Sequence, residues 1–255
     1  RTLNIEFIDW QLADIHLNLI VAHKDLSIME KDVLQDLRLK LTKDSLRNEI
    51  LQNGYQKTFD KIAKILLNKV AICKGEKIFY IKDIEFYLYE NNHRDIVTYP
   101  RICKAGQWFF HPSGIDISFE SSVDVKSNDY ELFQPILRDD AFFGGVLIRA
   151  IYPADKAPSD ACKYSLDGPH KVEWALFDCF DAFNETTNFP HLIECEHKIE
   201  HITKPRKNLI PKENDYRKKI ETILNYYYED SPVSIDEWIN IYKSFEKKTY
   251  RYMVR

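Results

Sequence analysis

A glutamate and a tyrosine share one face of an alternating run, Ile84-Glu85-Phe86-Tyr87-Leu88, and a histidine, His93, follows in the next turn. If the run is a strand, Ile84, Phe86 and Leu88 point one way and Glu85, Tyr87 and Tyr89 the other. A carboxylate among aromatic rings can have its pKa raised by desolvation, and it can orient and deprotonate a water. The same pattern also describes a solvated glutamate on the open side of a sheet. His93 can stack on a planar ligand with Asp95 orienting it, or it can simply be exposed. Downstream, Trp108-Phe109-Phe110-His111 leads through Pro112-Ser113-Gly114 into Ile115-Asp116-Ile117-Ser118-Phe119-Glu120. His111, Asp116, Ser118 and Glu120 either line the same cleft as Glu85 or form the polar side of a barrel. Arg149 ends the most apolar run, Gly144-Gly145-Val146-Leu147-Ile148-Arg149. A guanidinium there needs a partner. Glu85 and Asp116 are the candidates, or else a phosphate or base of a substrate.

The elements that must position these groups fall into two textures. Residues 1–73 read as helical. Trp10, Ala13, Leu17 and Ile20, then Leu34, Leu37 and Leu41, then Phe59, Ile62, Ile65, Leu66 and Val70 follow helical spacing, with a turn at Asn53-Gly54. Residues 74–255 alternate short β-branched and aromatic runs with turns. Strands are expected at Ile78–Tyr89, Gly106–Phe110, Ile115–Phe119 and Gly145–Ile151. Asp167-Gly168-Pro169 starts a helix carrying Val172, Leu176, Cys179, Phe180 and Phe183 on one face. Pro190 to Ile202 is strand-like, and Tyr216 to Leu224 and Ile235 to Phe245 are helical. The expected class is α+β: a curved antiparallel sheet, a partial barrel, with packed helices and an N-terminal helical region that could recruit a protein partner.

Composition narrows the function classes. The 255 residues carry 44% apolar and 30% charged side chains, a soluble balance, and a net charge of -4 that offers no nucleic-acid footprint overall. No run approaches the ~20 apolar residues that span a bilayer. The five cysteines form no Cys-x-x-Cys pair, which fits a reduced, cytoplasmic protein. The chain starts at Arg1, so the true start lies open. Cys195, His197 and His201 lack zincin spacing, and neither a glycine-rich phosphate loop nor a nucleophile elbow occurs. No metal and no cofactor are expected.

In order, these motifs resemble the alkyladenine (3-methyladenine, methylpurine) DNA glycosylase family over roughly residues 78–225. The resemblance rests on Glu85-Phe86-Tyr87-Leu88, His93, Trp108-Phe109-Phe110 with Gly114, and Val146-Leu147-Ile148-Arg149-Ala150 with Pro153. It continues through Gly168-Pro169-His170-Lys171, Pro205-Arg206-Lys207 and Tyr216-Arg217. It implies a hydrolase without a lyase step that excises a damaged purine from DNA. Glu85 would activate water, Arg149 would line the catalytic region, and Tyr87 and His93 would hold the flipped base. Lys171, Arg206 and Lys207 are candidate phosphate contacts. Three positions depart from the family pattern. Ser113 stands where an intercalating tyrosine is expected, Ser118 or Glu120 where a discriminating asparagine is, and Lys207-Asn208 where the Pro-Arg turn has glycine. These departures leave room for the same fold acting on a free nucleoside, RNA or a single strand, or for a non-catalytic binding module. A basic C-terminal tail (Lys243, Lys247, Lys248, Arg251 and Arg255, against Glu246) is a further candidate for phosphate contacts.

Overall fold

The computed structural model describes residues 32–125, 135–156, 160–178, 188–227 and 233–255. The expected face of Trp10, Ala13, Leu17 and Ile20 lies outside them. Two helices come first, α1 (Val33–Lys40) and α2 (Lys43–Asn68). Asp32 caps α1 by accepting the amide hydrogens of Leu34 and Gln35. The break expected at Asn53-Gly54 is present as a kink inside α2, where Gly54 takes φ 78°.

The strands then run β1 (Val70–Lys74), β2 (Lys77–Glu90), β3 (His93–Arg94), β4 (Trp108–His111), β5 (Gly114–Ser118), β6 (Asp124–Val125), β7 (Pro135–Ile136) and β8 (Phe142–Pro153). The expected division after residue 73 falls inside β1, because that strand hairpins directly onto β2. A short helix α3 (Ala161–Tyr164), β9 (Leu166–Asp167) and α4 (Pro169–Leu176) follow. The chain continues with β10 (His191–Glu194), β11 (His201–Lys204), α5 (Tyr216–Tyr227), α6 (Ile235–Glu246) and β12 (Arg251–Val254). The basic C-terminal tail therefore ends in a strand.

Every pairing among the described strands is antiparallel. The main path runs β10-β1-β2-β8-β5-β4. One edge of β2 is shared: β1 covers its first part and β12 pairs with Asp83 to Glu85. The β2–β8 register shifts around Asp83, an irregularity that increases local twist. The result is a curled half-barrel with helices packed against it. Its concave core joins Leu37, Leu41, Phe59 and Leu66 of the helices to Ile84, Phe86 and Leu88 of β2. The helical region thus shares one core with the sheet. A second cluster packs Trp238 and Tyr242 of α6 and Ile220 of α5 on Tyr89 and Phe143. No described helix is long and apolar enough to cross a membrane.

Candidate active site

Alternation along β2 places Glu85 and Tyr87 opposite the core residues Ile84 and Phe86. That side of the strand is closed as well, and Glu85 has no exposed surface. Its Oε2 accepts a hydrogen bond from the Tyr87 hydroxyl at 2.7 Å and one from Arg149 Nη1 at 3.2 Å. Its Oε1 accepts the backbone N–H of Lys207 at 2.7 Å. The solvated-glutamate alternative is thereby excluded, and Glu85, rather than Asp116, is the partner of Arg149. Burial and the Glu85 carboxylate hold the Tyr87 pKa well above its ordinary value, so Tyr87 is a neutral donor.

Two further residues complete this cluster. Arg251 lies directly across the ladder from Glu85. It grips Asp83 through Nη2 at 2.6 Å and Nε at 2.9 Å, and its Nε is 3.9 Å from Glu85 Oε1. Asp83 in turn lies 4.0 Å from Arg149 Nε. Two carboxylates and two guanidiniums thus alternate, with no net charge. Arg251 is an internal partner, not the phosphate contact expected of the tail. Tyr216-Arg217 opens α5, but Arg217 pairs with Asp236 at the surface.

The cluster lies behind a cleft of about 330 Å³ that Tyr87, Arg149 and Lys207 line on one side and Tyr99, Arg101 and His111 on another. Three roomier grooves, about 570, 580 and 650 Å³, contain none of these residues. The turn at the rim lacks a glycine, and Asn208 takes the left-handed conformation there, φ 60°.

A second charged group forms the far wall. Asp116 sits 2.7 Å from Arg101 Nη1 and 2.9 Å from His111 Nε2. Burial pushes the Asp116 carboxyl up, but Arg101 and His111 overcome it, leaving the pKa below its ordinary value. The Ser113 N–H donates to His111 Nδ1 at 3.2 Å, so Nε2 carries the proton that reaches Asp116. Tyr99 stacks on His111 with ring centroids 4.5 Å apart. Tyr99 and Arg101 were missed in the sequence because the Tyr99-Pro100-Arg101 segment has no periodicity; a cationic residue beside an aromatic one was its only signal.

Several expected site residues lie elsewhere. His93 is in the core: β3 folds back on β2, and its ring lies between Tyr55 and Phe245, centroids 4.1 and 4.8 Å away. Nδ1 meets the Leu88 carbonyl and Nε2 the Tyr250 hydroxyl, so it cannot hold a base in the cleft. Ser118 is buried and donates to the Phe119 carbonyl. Glu120 is exposed and accepts the Lys43 N–H at 2.9 Å, capping the start of α2. Arg206 is no phosphate contact. It is buried, forms a two-point pair with Asp95 at 2.6 and 3.0 Å, and stacks on the Tyr87 ring. Lys171 is exposed on α4 outside the cleft lining, whereas Lys207 is exposed at the rim.

Burial pushes the His93 pKa down to about 4, with Asp95 opposing and Lys248 adding. The unfolded chain therefore binds a proton from pH ~6.5 downward that the folded chain refuses until about pH 4. This contribution is intact above pH ~6.5 and is lost as pH falls to about 4, costing on the order of 3 kcal/mol. Urea titrations at pH 7 and pH 4.5 should show that loss, and His93→Gln should flatten it. An unchanged slope in the variant would assign the loss to other groups.

No family model, curated protein or solved structure matches this chain.

Proposed function

We propose that the cleft hydrolyses an N-glycosidic bond, with a damaged purine in DNA as its substrate, on a fold like that of the methylpurine glycosylases. The observation that carries this reading is the buried Glu85 carboxylate, held by two residues, Tyr87 and Arg149, that themselves line a base-sized aromatic cleft. Breaking the bond leaves positive charge on the sugar. A carboxylate held between Arg149 and Arg251 in a water-poor site stabilises that charge far more than it would in bulk solvent. The attacking water loses its proton to Glu85, and the bond's electron pair leaves with the base. Because the Tyr87 hydroxyl occupies Oε2, turnover includes its displacement by that water. Tyr87 and the stacked Tyr99–His111 pair are the walls against which a planar base rests once it has left its stack. The hairpin turn presents Ser113, which has no surface to fill the gap in a duplex; single-stranded substrates suit this turn better than paired ones.

The test is release of free base from alkylated and from deaminated DNA, single-stranded and duplex, with the corresponding free nucleosides alongside. Release from a polynucleotide is the expected result. Release from none of these substrates would overturn the reading, and release from nucleosides alone would move it to small-molecule hydrolysis.

A further inference from the structure

The helix that borders the cleft turns a tryptophan to solvent. Trp174 of α4 is 74% exposed. The helix itself is fixed. Val172 and Leu176 on its other face are buried in the core. The Gly168 N–H at its start donates to the Arg149 carbonyl at 2.8 Å. Pro169 packs so closely on the β4–β5 turn that a Cβ at Gly114 would stand 2.5 Å from it. Pro169 and His170 line the cleft. Trp174 is one helical turn beyond His170 on the same face, ~5–6 Å away between Cβ atoms. Side chains on a helix lean toward its N-terminus, so the indole leans back toward the cleft mouth.

An indole left in water offers a face to a planar group, and the charges around it point to what carries that group. Lys207 and Lys219 line the cleft, and Lys171 lies on the turn of α4 that precedes Trp174. All three are exposed and make no ion pair among the described residues. Glu173, the one acid of α4, is 3.3 Å from His170 Nδ1. A single nucleic-acid strand supplies both matching features, a base to stack and phosphates to meet the lysines. In a duplex the bases are stacked on one another, and the hairpin turn brings only Ser113 to part them.

We propose that Trp174 is a binding residue for single strands: with the damaged base in the cleft, the base of a flanking nucleotide stacks on the indole, and Lys171, Lys207 and Lys219 meet the phosphates around it. This rests on the cleft being a base site, as the proposed function has it. It adds the path of the strand over α4 and makes a neighbouring nucleotide part of what is bound. Every base has a face to stack, so this contact supplies affinity with little sequence preference.

The experiment titrates the full chain with short single strands carrying a central hypoxanthine on a 2′-fluoro sugar, which resists hydrolysis. One strand has intact flanks and another has abasic flanking positions. Anisotropy of an end label reports affinity, and tryptophan emission reports contact. Trp108 is half-buried and Trp238 buried, so Trp174 is the exposed reporter among the described tryptophans. The intact strand should quench emission, and Trp174→Ala should remove most of that quenching. Trp174→Ala should also weaken binding of the intact strand about 5- to 100-fold, the range of one base–aromatic stack. Abasic flanks should cost the native protein as much, and the two losses should not add. Trp174→Phe keeps an aromatic face and should recover most of the affinity. Lys219→Ala should lower the slope of log affinity against log salt by about 0.7, one phosphate contact on a single strand; an unchanged slope removes Lys219 from the path. Binding by Trp174→Ala within twofold of the native protein, or abasic flanks that cost both proteins equally, overturns the assignment of Trp174 while the base site stands. If no strand binds, or if an abasic site in place of the central hypoxanthine leaves affinity unchanged, the base site itself fails, and the inference with it.

Discussion

Glu85→Gln should reduce base release by about a thousand-fold, the upper range for removing one charge-stabilising group from a transition state. The amide is nearly the same size, so packing around β2 is retained. What changes is charge. Asp83 and Glu85 balance Arg149 and Arg251, and the substitution leaves one buried positive charge unmatched beside the sugar. The site would then oppose the oxocarbenium charge it is proposed to stabilise, and it would lack a base for the water. A stability cost of ~3 kcal/mol or more accompanies this, since one member of a buried pair has been neutralised. The assay must therefore be run below the variant's melting temperature, with circular dichroism establishing that it is folded. Glu120→Gln is the matched control: its carboxylate caps α2 far from the cluster, so it should alter stability slightly and turnover not at all. Release by folded Glu85→Gln within tenfold of the native rate would remove Glu85 from the chemistry.

What the sequence makes legible here is local and periodic. Alternation sorted both faces of β2, because Ile84, Phe86 and Leu88 had to meet the core and left Glu85 and Tyr87 opposite them. An arginine within an apolar strand demanded a carboxylate, and Glu85 supplies it. The misplacements share one cause. His93 looked like a loop residue, yet Tyr250, the residue that accepts it into the core, is 157 positions away. Arg251 read as part of a basic tail, yet its partner Asp83 is 168 positions away. The sequence does not show that β12 returns to cover the open half of β2's edge, and that return turns a presumed surface charge into an internal one. Asp116 and Ser118 share a face of β5, yet only Asp116 faces the cleft wall, because Ser118 closes on backbone carbonyls of Phe119 and Gly144. Polar residues alternating on a strand announce a distinct face without saying whether water, a ligand or backbone meets it.

Asp95→Ala should be among the most damaging single substitutions in the chain, lowering unfolding free energy by about 3–5 kcal/mol. Arg206 has no exposed side-chain surface, and its two-point pair with Asp95 is closed to solvent on both sides. Without Asp95 the guanidinium keeps its bond to the Phe86 carbonyl and its stacking on Tyr87, but its charge is uncompensated in a medium that solvates it poorly. Arg206 cannot relieve this by deprotonating, because guanidinium holds its proton under all ordinary conditions. The double variant Asp95→Leu with Arg206→Met removes both charges and should recover most of the loss, since a buried pair is often replaceable by apolar side chains of similar volume. Urea denaturation of the native protein, Asp95→Leu, Arg206→Met and the double variant measures the coupling. A single-variant cost below ~1 kcal/mol, or a double variant as unstable as Asp95→Ala, would mean that the pair is not what holds this part of the fold. The cycle also reaches function. Arg206 backs the ring of Tyr87, so the double variant, though restored in stability, should bind a base more weakly than the native protein. The ion pair would then stiffen the cleft wall while contributing little net stability.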